Sequence, residues 1–328
     1  MANSIQKYAT ILQERLDQQV AIGATSGWME QNAGQVIYNG GKKIEIGTIS
    51  TQGLADYDRE DGFTKGAISL VYNTYEMTQD RGRTFSIDRM DNDDTHFHLN
   101  ATAVMAEFQK RHVIPEIDAY RYSKLATLAI AASQTTSDYT PVAATIAQQL
   151  LADLGAIEDI YGDGVMIVIS MPGPVKRILE QSTFWNRSAS IIEFDRGGVK
   201  TKVHAINDHP IIPVPSARMK TKYTFYDGET EGQEAGGFVV HADALDINWL
   251  LTVKTDPLAI SKTDKIRIFA PDVNQTADAW KLDYRKYHDL WVKKQHEEGL
   301  FVNTAPVPEP ETPESPDPDP DPPAGGEG

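Results

Sequence analysis

The sequence predicts a mixed α+β protein, and three observations carry that prediction. An apolar pattern of helical period runs from Thr95 past Ala129. Two earlier segments alternate apolar and polar residues, as half-buried strands do, and the part after Val165 is rich in short apolar runs separated by Gly, Pro and Asp. With 40% hydrophobic residues in 328, the chain has ample material for one or two packed domains.

The elements follow in order. Residues 4–20 place Ile5, Tyr8, Ile11, Leu12, Leu16 and Val20 at helical spacing, which predicts an amphipathic helix or helical arm that needs a partner surface. Residues 42–49, with Ile44 and Ile46, and residues 66–77, with Ile68, Leu70 and Tyr72, read as two strands. Between them, residues 50–65 are long for a hairpin loop and hold Gly53, Gly62 and a charged run at 56–61. A two-stranded hairpin is marginal alone in water, so a projecting one needs packing from elsewhere. Leu54, Tyr57 and Phe63 are therefore candidate contacts to another copy of the chain, with Asp58 and Arg59 as rim charges tuning register.

Thr95 can cap a helix carrying Phe97, Ala101, Val104, Met105 and Phe108, continued by Tyr122, Leu125, Ala126 and Ala129. Unbroken to Ala132 it would be roughly 57 Å long. Pro115 removes a hydrogen bond inside it, which leaves a continuous kinked helix or two abutting helices. Thr140-Pro141 reads as a helix start, with Ile146, Leu150, Leu151 and Leu154 on the buried face and Gly155 as the stop. The apolar run 165–170 predicts a strand buried on both faces. Pro172 to Pro174 open another amphipathic helix with Val175, Ile178 and Leu179. Strands are expected at 211–214, 223–226, 238–241, 250–253 and 266–269, and residues 282–302 close the fold through Tyr284, Tyr287, Leu290 and Val292. There is no internal repeat.

Composition excludes several classes. Against 31 basic residues stand 47 acidic ones, a net charge of −16 that argues against a nucleic-acid binder with a basic surface. The absence of cysteine removes disulfides, thiolate metal sites and cysteine nucleophiles together. Neither a secretory signal pattern nor a run of about 20 apolar residues is present, so a cytoplasmic protein with no membrane partner is expected. Residues 305–328 hold nine of the 18 prolines and seven acidic residues with no Lys or Arg. That composition predicts a disordered, extended, self-repelling acidic tail, read as a solvated spacer in preference to a docking peptide.

Chemical motifs fail on spacing. Asp91-Asn92-Asp93-Asp94 opens like a calcium loop, but His96 and Thr102 occupy the sixth and twelfth positions. Asp56, Asp58 and Glu60 fail in the same way at Asp61 and Ala67. His96 and His98 are two apart on an expected helix and diverge, and His204 and His209 flank a turn-like Asn207-Asp208 as ordinary loop histidines. No Gly-x-Ser-x-Gly elbow exists, and Gly40-Gly41-Lys42 and Gly162-Asp163-Gly164 read as turns. No catalytic residue, cofactor or metal site is therefore assigned, and the weight falls on a structural, non-enzymatic role.

Five stretches then carry a family resemblance: residues 53–59 (Gly-Leu-Ala-Asp-Tyr-Asp-Arg), 80–88 (Asp-Arg-Gly-Arg-Thr-Phe-Ser-Ile-Asp), 112–122 (His-Val-Ile-Pro-Glu-Ile-Asp-Ala-Tyr-Arg-Tyr), 213–219 (Pro-Val-Pro-Ser-Ala-Arg-Met) and 284–289 (Tyr-Arg-Lys-Tyr-His-Asp). Together with the order of elements they resemble the major capsid proteins of tailed bacteriophages, the Hong Kong 97-type fold. The resemblance implies an N-terminal arm (1–38), an E-loop hairpin (39–79), a P-domain with a long spine helix (80–133), an A-domain (134–272), a return to the P-domain sheet (273–304) and the tail (305–328). It implies pentamers and hexamers that tile an icosahedral shell in the virion, assembled in the host bacterial cytoplasm. It further implies a separate scaffolding protein, a portal, and double-stranded DNA enclosed without sequence-specific binding. The runner-up is an encapsulin-like shell of the same fold around cargo enzymes. Other classes left open are a hydrolase with dispersed residues and a phage tail or decoration protein.

Overall fold

The computed structural model describes residues 23–35, 37–38, 43–60, 62–88, 90 and 101–307. The helix expected at 4–20, the Thr95 cap, the Asp91–Asp94 and His96/His98 clusters, Gly40-Gly41-Lys42 and tail residues 308–328 lie outside the described residues.

The largest sheet has seven strands, formed by β5 (Thr135–Thr136), β6 (Ile167–Pro172), β7 (Ala189–Arg196), β8 (Val199–Ile206), β9 (His209–Val214), β12 (Ile247–Val253) and β15 (Leu300–Thr304) in the order β5-β15-β12-β6-β9-β8-β7. β6 runs parallel to β9 and antiparallel to β12, and all six of its residues are buried. The near-continuous apolar run of this strand is explained by helices on both sides. One face receives Tyr122, Leu125, Ala126 and Ala129 of the long helix together with Trp28 and Met29. The other receives Ile146, Leu150, Leu154 and Ile157 of a second helix and Leu179 of a third.

The long helix is α1 (Ala101–Phe108), a five-residue π turn (Gln109–Val113) and α2 (Ile114–Ala131). Phe108, Val113 and Ile114 keep right-handed helical angles, so the run is continuous across Pro115, which sits in the first turn of α2. Proline cannot donate to the carbonyl four residues back, and the wider π turn just before it accommodates the missing bond. Continuity thus prevails over two abutting helices.

The second helix, α3 (Ile146–Tyr161), differs from expectation at both ends. Residues 141–145 form turns, in which Thr145 and Ile146 donate to the Val142 carbonyl, so the helix opens after Thr140-Pro141 and not at it. It then passes through Gly155, because Ile157 extends the buried stripe one turn further, and stops at Gly162, whose φ of +80° is the left-handed angle that favours glycine. The third helix, α4 (Gly173–Glu180), starts after Pro172.

A second sheet of three strands has the order β13-β14-β4, from β4 (Gln79–Asp88), β13 (Pro257–Phe269) and β14 (Ala279–Val292). One of its faces packs Phe85, Ile87, Leu282 and Tyr284 on Met105, Val113 and Ile117 of the long helix. The long helix therefore joins the two sheets. A two-stranded ribbon, β10 (Tyr223–Phe225) and β11 (Phe238–Val240), lies against it through Phe225 and Tyr120, whose rings are 5.7 Å apart. The third sheet comprises β1 (Ile37–Tyr38), β2 (Lys43–Thr51) and β3 (Ile68–Glu76).

His209 corrects the loop-histidine reading. Asn207 and Asp208, with φ of 48° and 65°, make the tight two-residue turn between β8 and β9, and His209 is buried just beyond it. Its Nδ1 accepts from the Ile167 amide at 3.2 Å and its Nε2 lies 3.2 Å from Glu158, so it ties β9 to β6 and α3.

Candidate subunit interface

β2 and β3 pair antiparallel from Lys43 opposite Glu76 to Thr51 opposite Ile68, a nine-rung ladder. Among the described residues, only its base is covered. Ile44 and Ile46 are buried against Met77, Leu258, Tyr287 and Trp291, while Ile49, Ile68, Leu70, Val71 and Tyr72 are exposed. The outer half of the ladder thus projects from the body with apolar side chains on both of its faces.

The tip is internally ordered. Gln52 and Ala67 exchange hydrogen bonds, the Ala67 amide donating to the Gln52 side-chain carbonyl at 3.1 Å. Further out, Asp58 and Gly62 donate to each other's carbonyls at 3.2 and 2.9 Å, and Gly62 supplies a φ of +84° that closes this inner turn. The Glu60 amide donates to Asp58 Oδ1 at 2.7 Å. Tyr57 and Phe63 then face each other edge-on with ring centroids 4.9 Å apart. Leu54 and Phe63 are nonetheless 107% and 88% exposed. The five candidate contacts all sit on this tip: Leu54, Tyr57 and Phe63 offer apolar surface, and Asp58 and Arg59 lie at the inner turn.

A tip of this kind is useful only if its base is rigid, and the base is held by buried charge. Asp289 of β14 is fully buried and accepts from the Thr78 amide at 2.9 Å, Thr78 Oγ1 at 3.0 Å and Tyr120 OH at 2.6 Å, with Lys124 as its counter-charge. Thr78 is where the hairpin's return strand passes into β4, so α2 and β14 together fix the exit. Burial and the Asp289 charge push the Tyr120 hydroxyl far above the usual phenol range, which keeps it a donor.

Asp118 of α2 does the same for the segment that precedes the hairpin. It accepts from the amides of Thr25 and Ser26 at 3.1 and 3.0 Å and from their hydroxyls at 2.9 and 2.6 Å, and Arg218 balances it at 2.9 Å. One turn later Arg121 holds the Ser26 carbonyl and Glu30. Burial pushes the Glu30 carboxyl up, but the Arg121 and Lys286 charges outweigh it and hold the group below its ordinary value. Sequence reasoning missed these anchors. The available signal was Asp118 and Arg121 standing among the apolar residues of a helix that packs on two sheets.

No family model matches the chain, and no curated protein does. Solved structures do. The capsid of the cyanophage P-SCSP1u superimposes with a TM-score of 0.53 at 12% identity, covering 82% of this chain and 84% of that one. The mature capsid of bacteriophage PhiM1 gives 0.52 at 12% identity over 82% and 83%. A virus-like particle from Pyrococcus furiosus gives 0.50 at 8% identity over 90% and 99%. The chain has the α+β Hong Kong 97-type fold of tailed-phage capsid proteins. At such low identity the likeness is one of fold.

Proposed function

We propose that the chain is the major capsid protein of a tailed bacteriophage and builds an icosahedral shell from pentamers and hexamers. The observation that carries this reading is the preformed hairpin tip, which exposes Leu54, Tyr57 and Phe63 on a capsid-type fold. Exposed apolar surface of this kind marks an interaction site, and the outer half of the hairpin, unlike its base, gains no packing from the described body. In this reading the β2–β3 hairpin is the E-loop, the long helix is the spine of the P-domain, and the seven-stranded sheet belongs to the A-domain. The chain acts without catalytic turnover, with a scaffolding protein and a portal as partners, and it encloses DNA in the virion. A net charge of −16 suits enclosure, because few counterions would be released on contact and packaged DNA would not be held. The phage capsids among the structural neighbours favour a genome shell over a cargo shell.

The test is sedimentation and electron microscopy of the Leu54→Asp/Phe63→Asp variant beside the natural chain, each expressed with the scaffolding partner. Both side chains are free of the body, so the fold should persist while closed shells are lost. Normal shells from the variant would overturn the interface assignment. A natural chain that stays monomeric would overturn the capsid reading.

A further inference from the structure

The outer face of the β13-β14-β4 sheet, opposite the long helix, carries a feature that shell building leaves unexplained. Strand register places Lys265, Arg285 and Gly82 in one cross-strand row and Arg267, Asp283 and Thr84 in the next. Two cations directly opposite each other on one face oppose sheet formation. Arg285 is relieved by Asp80, which takes its guanidinium at 2.8 and 2.6 Å. Asp283 accepts from Thr84 Oγ1 at 2.9 Å and lies 3.9 Å from Lys281. Lys265 and Arg267 are exposed, and neither has an acidic partner among the described residues. A groove of about 550 Å³ opens between these side chains. Its floor is bare at Gly82, where an added Cβ would meet the Tyr284 carbonyl at 2.8 Å. An excess of positive charge thus lines a groove on a chain of net charge −16.

We propose that this groove is the docking site of the chain's own acidic C-terminal tail. Residues 308–328 lie beyond the last described residue and carry seven acidic residues with no basic one. Nine of the 24 residues from 305 onward are proline, so the tail cannot donate the amide ladder of an added strand and must be recognised through its side chains. Asp317, Asp319 and Asp321 recur at alternate positions, a run of like charge opposite in sign to the excess in the groove. The hairpin tip of a second copy fits the groove less well. Its acidic run is interrupted by Arg59, and its exposed Leu54 and Phe63 would find no aliphatic side chain in the lining.

The experiment uses the full chain, mixed from isotope-labelled and unlabelled copies, treated with nuclease and then with a carbodiimide that joins amines to neighbouring carboxylates. Mass spectrometry reads the linked peptides. Lys265 should link to residues 309–321 of its own chain about tenfold more than the exposed Lys200 and Lys202 do. The preference should vanish at about 1 M salt, where the screening length is near 3 Å. Arg267→Glu should abolish it while leaving the links of Lys200 and Lys202 unchanged. Equal linking at all three lysines would overturn the proposal. Links of Lys265 to residues 56–61 of another copy would assign the groove to the hairpin, and protection of Lys265 before nuclease treatment alone would assign it to nucleic acid. Either result would also overturn the proposal.

Discussion

His288 shows how a single residue reports on the packing between the long helix and β14. It is buried against the Tyr120 ring, its Nδ1 has no hydrogen-bond partner among the described residues, and burial followed by the charges of Arg121, Lys286, Arg81 and Lys124 holds its pKa well below the usual imidazole value of 6.5. The folded chain therefore refuses a proton that the unfolded chain accepts once the pH drops below 6.5. Stability is full above that pH and falls as the medium is acidified, by up to about 1.4 kcal/mol per pH unit. His288→Gln should flatten denaturant midpoints between pH 6.5 and 5, above the range in which carboxylates titrate. An unchanged slope would assign acid sensitivity elsewhere. Asp118→Ala would strand Arg218 and take from the Thr25 and Ser26 amides and hydroxyls the acceptor they share, and should cost about 3–5 kcal/mol in chemical unfolding. Neither residue was legible in the sequence as a site. Asp118 meets Thr25 across 93 positions and Asp289 meets Thr78 across 211, separations at which side-chain pairing leaves no local periodicity.

At the scale of elements the sequence was more informative where period and punctuation agree. The alternation at Ile44 and Ile46 and at Ile68, Leu70 and Tyr72 marks the two strands that do pair, and the excessive spacing between them marks the tip. Alternation did not reveal that the outer apolar residues face solvent, because exposure depends on what lies opposite and not on the strand itself. Gly155 misled for a related reason: a glycine ends a helix only where a left-handed angle is needed, and the buried Ile157 carries α3 on to Gly162. Two predictions belong here. Replacing residues 50–65 by an Asn-Gly turn should leave the thermal unfolding of the monomer within a few degrees of the natural chain, since Ile44 and Ile46 at the base are retained. An unfolded product would place the tip in the subunit's own core. Removing residues 308–328 should spare folding and particle yield, because the described body already closes with β15 and the Ala305 amide bound to the Asp246 carbonyl. Soluble chains without particles would give the tail an assembly role.

Across the whole molecule, one long helix is shared by two sheets while a hairpin reaches outward from a base pinned by Asp289. Such a body is stable by itself in its sheets and incomplete at its tip, which is the division of labour a self-assembling shell requires. Burying Leu54, Tyr57 and Phe63 at a neighbour would contribute roughly 1.5–3 kcal/mol for each side chain, repeated at every contact of the proposed shell. The net charge of −16 opposes unscreened association, so closure of the proposed shell should be favoured by salt. The most direct measurement is cryo-electron microscopy of particles formed by the natural chain with the proposed scaffolding protein. The predicted result is a closed icosahedral shell in which Leu54 and Phe63 of each subunit are buried against an adjacent copy. Closed shells with that tip standing free in solvent, or no ordered particles under any assembling condition, would contradict it.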